Sequence, residues 1–125
     1  MSRCERCIAV VDDEAAVRIA LARLLRLAGY EVILYASGDD FLAALESRQP
    51  DCVLLDIHMP GLSGIEVNDR LAALHIHLPV IFITASDEDE IARGARGCSR
   101  LLHKPFTSNE LLTAIVAALG SGRES

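Results

Sequence analysis

The chain has 125 residues, 51% of them hydrophobic, which is enough for one domain with a core and too apolar for a disordered protein. Its formal net charge of −6 argues against direct nucleic-acid binding by this domain. No apolar run approaches the roughly 18 residues of a membrane span, and the N-terminus does not resemble a signal peptide, so we expect a cytoplasmic protein without a membrane partner.

Short apolar runs alternate with helical patterns along the whole chain. The first three units are predicted as a strand at Cys7 to Val11 with a helix at Ala15 to Ala28 that Gly29 ends, a strand at Glu31 to Tyr35 with a helix at Asp39 to Arg48, and a strand at Cys52 to Leu55 with a helix at Ile65 to Leu74. The last two are a strand at Val80 to Ile83 with a weak helix at Asp87 to Arg96, and a strand around Leu101 and Leu102 with a closing helix at Asn109 to Leu119.

These units predict the fold class. Continuous apolar strands separated by helices indicate a parallel sheet covered on both faces. Without internal repeats or a linker, they suit a single α/β domain over residues 1–125, with a core at about 8–119 and short terminal tails, the second being Gly120 to Ser125. We expect a flavodoxin-like, doubly wound, five-stranded sheet of order 2-1-3-4-5, which binds ligands beyond the carboxyl ends of strands 1 and 3.

Chemically distinctive residues follow four of the five predicted strands: Asp12, Asp13 and Glu14 follow strand 1, Asp56 strand 3, Thr84 strand 4, and His103, Lys104 and Pro105 strand 5. The fold would place three carboxylates in one crevice beside a hydroxyl and an ammonium. Like charges ~4 Å apart repel by about 4 kcal/mol at an effective dielectric of 20. Because one lysine cannot offset three carboxylates, either a pKa rises or a hard cation such as Mg²⁺ binds. The alternative, that each Asp only caps the next helix, does not require Thr84 or Lys104.

Four motifs at these strand ends, VVDDE, LLDIHMPGLSG, IFITAS and LLHKPF, together resemble the receiver domain of bacterial two-component response regulators. The resemblance covers roughly Ile8 to Leu119. The run AGYEVILYASGDDFLAAL is similar to FixJ-type receivers in particular.

The resemblance implies roles for individual residues. Asp56 would be the phosphoacceptor. Asp13 would bind Mg²⁺ directly and Asp12 through water, with Asp56 and the backbone carbonyl of His58 as further ligands. The His58 side chain would lie near the mouth of the site, where it either influences the loss of the phosphate or only supplies its carbonyl.

Three further residues would act on the phosphoryl group or transmit its presence. Thr84 would hydrogen-bond the group, Lys104 would pair with one of its oxygens, and Pro105 would follow a cis peptide bond. Lys104 is the only lysine in the chain. Its flexible point charge fits a small crevice better than a guanidinium fork does.

The resemblance also implies partners and an output. The donor would be a histidine kinase or a phosphotransfer protein. Phosphorylation would shift the face formed by the helix predicted at Asp87 to Arg96, strand 5 and the closing helix, and so control a downstream protein partner. A dimer that forms on phosphorylation is one assembly that the resemblance allows. Catalysis would be limited to self-phosphorylation and slow self-dephosphorylation.

Two departures from the family concern this output. Leu101 stands where family members usually carry an aromatic residue, so we expect it to pack as core and not to act as a swinging ring. The helix predicted at Asp87 to Arg96 contains Gly94 and only one large apolar residue, Ile91, so we expect it to be short and mobile before phosphorylation.

Competing functions remain open at this point. A Mg²⁺-dependent phosphohydrolase on a similar sheet usually has an acidic residue two positions past its nucleophile, where this chain has His58. A nucleotide- or flavin-binding module needs a Gly-rich loop after strand 1, where this chain has acidic residues. A degenerate receiver would act by binding alone, and the chain could be a stand-alone receiver or part of a longer regulator.

The cysteines and two of the histidines favour structural interpretations. Cys4 and Cys7 form a C-x-x-C that leads into a strand, where neither a zinc site nor a redox motif is expected. We expect these two to be terminal thiols and Cys52 and Cys98 to be small buried hydrophobes. His75 and His77 are predicted to lie in a loop before strand 4 rather than to bind metal.

Overall fold

The computed structural model describes residues 6–85 and 100–123. Within these residues the chain forms five strands and four helices. They are β1 (Cys7–Val11), α1 (Ala15–Leu27), β2 (Glu31–Tyr35), α2 (Gly38–Ala44), β3 (Cys52–Asp56), α3 (Gly64–Ala73), β4 (Val80–Thr84), β5 (Arg100–His103) and α4 (Ser108–Arg123). The strands pair in parallel in the order β2-β1-β3-β4-β5, which confirms the predicted doubly wound sheet. No described helix is both long and apolar enough to cross a membrane.

The central strands are hydrophobic throughout because helices cover both faces of the sheet. Every residue of β1, β3 and β4 is buried. Successive residues of a strand point to opposite faces, so Val10 packs in the core beneath α1 and α4, and Val11 in the core beneath α2 and α3. This burial fixes the positions of the strand ends, where the polar residues begin.

Two helix ends differ from the predictions by more than one residue. The predicted helix at Asp39 to Arg48 ends at Ala44, and the chain turns, with Ser47 N–H and Arg48 N–H both donating to the Ala44 carbonyl. Residues 46–48 are exposed, so extending the helix would bury no further apolar surface. The closing helix, predicted to end at Leu119, continues to Arg123, because no Pro interrupts it and Gly120 and Gly122 each cost only about 1 kcal/mol in a helix. The predicted helix at Asp87 to Arg96 lies outside the described residues, and so does its predicted mobility.

One of the predictions for the cysteines is wrong. Cys7 is buried at the start of β1 and not a terminal thiol, since it is only 6% exposed and its N–H donates to Asp51 Oδ2 at 2.7 Å. Burial raises the pKa of its thiol. Cys52 is buried as predicted, and burial raises its pKa to about 12, so both thiols stay protonated. Cys4 and Cys98 lie outside the described residues. His75 and His77 lie in the connection between α3 and β4, as predicted.

The N-terminus of α3 has a reciprocal cap. Glu66 N–H donates to Ser63 Oγ at 3.1 Å, and Ser63 N–H donates to Glu66 Oε1 at 2.9 Å. This capping box satisfies two backbone donors at the start of the helix. It also fixes where the loop after β3 ends.

We therefore expect Ser63→Ala to lower the free energy of unfolding by about 1 kcal/mol, because one donor loses its partner. Urea unfolding of the wild type, Ser63→Ala, Glu66→Ala and the double variant measures this. Because the two hydrogen bonds belong to one motif, the two losses should not add. Additive losses would contradict a reciprocal cap.

Candidate functional site

Polar residues gather where β1, β3, β4 and β5 end. Asp12 follows β1, Asp56 is the last residue of β3, Thr84 is the last residue of β4, and Lys104 follows β5. Since the strands are parallel, all four residues lie at the carboxyl edge of the sheet, at the switch point between β1 and β3. The sheet thus brings together the residues that the sequence singled out.

Three carboxylates form a cluster at this edge. Asp12, Asp13 and Asp56 each offer an oxygen, and these atoms lie within 4.8 Å of one another. Asp12 and Asp56 are only 1% and 6% exposed, whereas Asp13 is exposed. Two of the three carboxylates are thus buried, and the third is open to solvent.

The hydrogen bonds of the two buried carboxylates are sparse. Asp12 Oδ1 accepts a hydrogen bond from Glu14 N–H at 2.9 Å, and Asp56 Oδ1 accepts one from His58 N–H at 3.3 Å. Asp12 Oδ2 is buried and has no hydrogen-bond partner among the described residues. Buried polar atoms normally have such partners, so this oxygen indicates a ligand.

The environment disfavours the charged forms of both buried acids. Burial, followed by the charge of Asp12, raises the pKa of Asp56 from 3.8 to about 6, although Lys104 and the His58 N–H act in the opposite direction. Burial also raises the pKa of Asp12, partly offset by the Glu14 N–H and by Lys104. Ionising both acids therefore requires more positive charge than Lys104 supplies.

This donor set fits a hard divalent cation. The three side chains offer only oxygen atoms, Lys104 compensates only part of their charge, and Asp12 Oδ2, which accepts no hydrogen bond from the described residues, is available as a ligand. Mg²⁺ prefers a small number of carboxylates and keeps several waters. The residues present therefore fit the predicted Mg²⁺, and the ligand role of the His58 carbonyl stays a prediction.

Lys104, which follows β5, places its ammonium beside the carboxylate cluster. Its Nζ lies 3.7 Å from Asp12 Oδ2 and 3.8 Å from Glu14 Oε1, both beyond hydrogen-bond distance. The Lys104 backbone N–H donates to the Thr84 carbonyl at 2.8 Å, which joins the ends of β4 and β5. The Lys104–Pro105 peptide bond is cis, as predicted.

Two residues that hold the site were not assigned this role from the sequence. Gly64 marks only a loop in the sequence, but a Cβ at this position would lie 2.5 Å from the Asp56 carbonyl oxygen. Arg18 Nη1 donates to the Asp12 carbonyl at 2.7 Å and so ties the loop after β1 to α1. One feature of the sequence could have revealed the role of Gly64: it stands at the first position of a helix, where Gly is not itself favoured.

Leu101 occupies the place expected for a core residue. It is partly buried and packs against the apolar cluster beneath α2 and α3, whereas its neighbour Leu102 packs on the opposite face. Pro105 is exposed at the edge of a groove between β5 and α4, which Phe106 and Ala117 also line.

Comparisons with known proteins point to one family. The model of the response regulator receiver domain matches residues 8–116. Nodulation protein W of Bradyrhizobium diazoefficiens is 38% identical over 117 residues, covering 92% of this chain and 52% of that protein. A response regulator receiver protein from Burkholderia phymatum is 45% identical, with a TM-score of 0.82 over 93% of this chain and 96% of that chain. FixJ-N is 31% identical, with a TM-score of 0.87 over 94% of this chain and 95% of that chain. The chain spans about half the length, or less, of the curated relatives it matches.

Proposed function

Because this chain belongs to the response regulator receiver domain family of two-component systems, we propose that Asp56 accepts a phosphoryl group and so switches the domain. The sequence motifs predict both this family and a likeness to FixJ-type receivers, and both predictions are confirmed. Receiver domains are signalling switches and not classical enzymes. One observation carries the proposal: Asp56 is a buried carboxylate at the end of β3, in a cluster with Asp12 and Asp13 that could hold a cation.

The proposed reaction is an in-line displacement at phosphorus. A carboxylate oxygen of Asp56 attacks the phosphoryl group of a phosphohistidine or of a small acyl phosphate. The new P–O bond gives an aspartyl phosphate, while the bond to the donor breaks and its electron pair leaves with the donor. Asp56 must be ionised to attack, and a pKa of about 6 leaves the carboxylate available near neutral pH.

Asp12, Asp13, Asp56 and the His58 carbonyl would hold Mg²⁺. When bound, the ion neutralises charge on the carboxylates and on the phosphoryl oxygens. Lys104 would neutralise a further phosphoryl oxygen from the side of β5. Thr84 would donate a hydrogen bond from its hydroxyl.

The hydrogen bond between Lys104 N–H and the Thr84 carbonyl supports a route from the site to an output surface. Thr84 and Lys104, the two residues that would contact the phosphoryl group, lie at the ends of β4 and β5. Because this hydrogen bond joins the two strand ends, a shift of one end moves the other. We propose that the shift alters the surface around β5 and α4, together with the predicted helix at Asp87 to Arg96. A two-state element biased by a local charge is sufficient for such a switch.

The proposed donor is a histidine kinase or a phosphotransfer protein, and the proposed target is a protein that binds the β5–α4 surface. Leu101 would transmit the shift through core packing, since it carries no aromatic ring to swing. A dimer formed on phosphorylation is compatible with the same surface.

Incubation with acetyl phosphate, followed by intact-mass measurement, tests the proposal. We expect the wild type to gain one phosphoryl group when Mg²⁺ is present and none in EDTA, and we expect Asp56→Asn to gain none. Lys104→Arg should gain it more slowly, because a guanidinium fork fits the crevice less well.

Two results would favour the alternative functions. Binding of Mg²⁺ without any gain of mass, also with purified histidine kinases, would indicate a receiver that acts by binding alone. Release of many equivalents of inorganic phosphate per protein would indicate a phosphohydrolase.

A further inference from the structure

Glu14 occupies the N-cap of α1 without acting as a cap. Its side chain makes no capping hydrogen bond, and it is 63% exposed. Asp, Asn, Ser and Thr are the preferred residues at such a position. Any contribution of the Glu14 side chain to the helix start is therefore limited to the favourable interaction of its charge with the helix dipole.

The contacts of Glu14 point to the phosphoacceptor site instead. Its backbone N–H holds Asp12 Oδ1 at 2.9 Å, which leaves Asp12 Oδ2 facing Lys104. Its own carboxylate oxygen Oε1 lies 3.8 Å from Lys104 Nζ. Glu14 thus acts on Lys104 twice, through its own charge and through the orientation of Asp12.

Lys104 rests between these two carboxylates. Within the described part of the chain, its ion pairs are with Asp12 and Glu14 and not with Asp56. Its ammonium is therefore held beside the place where a phosphoryl group on Asp56 would form. A lysine side chain has several rotatable bonds and can move between two such positions.

We propose that Glu14 is a positioning residue that holds Lys104 in its resting place, so that a phosphoryl group on Asp56 must compete with Glu14 for the ammonium. This inference rests on the proposed function, in which Lys104 pairs with the phosphoryl group. Removing the Glu14 carboxylate leaves Lys104 paired with Asp12 alone and favours the state in which it contacts the phosphoryl group. Because the pair is exposed on the Glu14 side, the gain is modest, about twofold to fivefold.

The single lysine makes the test direct. Protein grown with ¹³C,¹⁵N-labelled lysine gives one lysine side-chain signal in NMR spectra, which reports on Lys104 alone. Spectra are compared for the wild type, Glu14→Gln, Glu14→Asp and Glu46→Gln. Glu46 is exposed and follows α2, at the opposite edge of the sheet, so Glu46→Gln controls for the loss of one negative charge.

We expect Glu14→Gln to shift the resting signal of Lys104 and Glu46→Gln to leave it in place. Beryllofluoride, a phosphoryl mimic, is then titrated at saturating Mg²⁺, so that differences in Mg²⁺ affinity between the variants do not change the measured beryllofluoride affinity. Glu14→Gln should bind it about two to five times more tightly than the wild type, and Glu14→Asp, which keeps the charge on a shorter side chain, should fall between them.

An unchanged Lys104 signal in Glu14→Gln, or a beryllofluoride affinity equal to that of Glu46→Gln, would overturn the proposal. Failure of the proposed function looks different. In that case no variant responds to beryllofluoride, and the resting Lys104 signal alone decides whether Glu14 holds this lysine.

Discussion

Asp56→Asn should raise the free energy of unfolding of the metal-free protein at pH 7 by roughly 2 to 3 kcal/mol, while abolishing the uptake of a phosphoryl group. The wild-type carboxylate is 6% exposed, and burial together with Asp12 raises its pKa to about 6. At neutral pH the folded protein therefore holds a charge that its surroundings disfavour. The asparagine amide removes that charge and can still accept the hydrogen bond from His58 N–H.

The same pKa shift predicts the pH dependence of stability. Between about pH 4 and pH 6 the folded protein binds more protons at Asp56 than the unfolded chain does, so the stability of the metal-free wild type falls as the pH rises through this interval. The raised pKa of Asp12 acts in the same direction. Above about pH 7 the contribution of Asp56 is constant, and added Mg²⁺ should restore the lost stability because it binds only the folded cluster.

Urea unfolding in EDTA across this pH range measures the effect. Asp69→Asn is the matched control, since it removes one carboxylate from an exposed position on α3. The decline between pH 4 and 6 should be reduced in Asp56→Asn and unchanged in Asp69→Asn. Equal stability of the wild type and Asp56→Asn at pH 7 would show that the charge of Asp56 costs nothing in the folded protein.

The fold was predictable from the sequence because most boundaries are marked locally. Gly29 ends α1 with a φ of +99°, and the buried strands are continuous apolar runs. The errors lie at helix ends, where no such mark exists. Past the buried Leu45 the residues are exposed, and past Leu119 no Pro forbids a further turn. The ends of α2 and α4 therefore depend on how the residues pack in the folded chain rather than on the identity of one residue.

The site was predictable as a set but not in its internal arrangement. Parallel strands with polar residues at their carboxyl ends predict that Asp12, Asp56, Thr84 and Lys104 meet. Nothing in the order of Asp12 and Asp13 says that the first is 1% exposed and the second open to solvent. These differences arise from packing between elements that are distant in sequence.

Gly64→Ala should lower the free energy of unfolding by about 1 to 3 kcal/mol, because the first residue of α3 lies against the end of β3. A Cβ on Gly64 would lie 2.5 Å from the Asp56 carbonyl oxygen and 2.9 Å from the Ile57 Cα. Both atoms belong to the backbone, so no side chain can rotate away. Either α3 or the end of β3 must move.

This movement should also affect the reaction. Gly64 N–H donates to the Ile57 carbonyl at 2.9 Å, so the start of α3 is tied to the residue that follows Asp56. Displacing this junction shifts the Asp56 carboxylate relative to Asp12 and Lys104. A misplacement of ~1 Å can slow a positioned reaction by about 10²-fold, so we expect phosphorylation by acetyl phosphate to be at least tenfold slower in Gly64→Ala.

Gly120→Ala separates this close contact from the general effect of replacing a helical glycine. A Cβ on Gly120 meets no atom of the described residues within 4 Å, so the alanine should stabilise α4 by up to about 1 kcal/mol. Urea unfolding and the rate of mass gain with acetyl phosphate are measured for both variants. The two substitutions should change stability in opposite directions, and only Gly64→Ala should slow phosphorylation. If Gly64→Ala matched Gly120→Ala in both measurements, the junction between β3 and α3 would not be what positions Asp56.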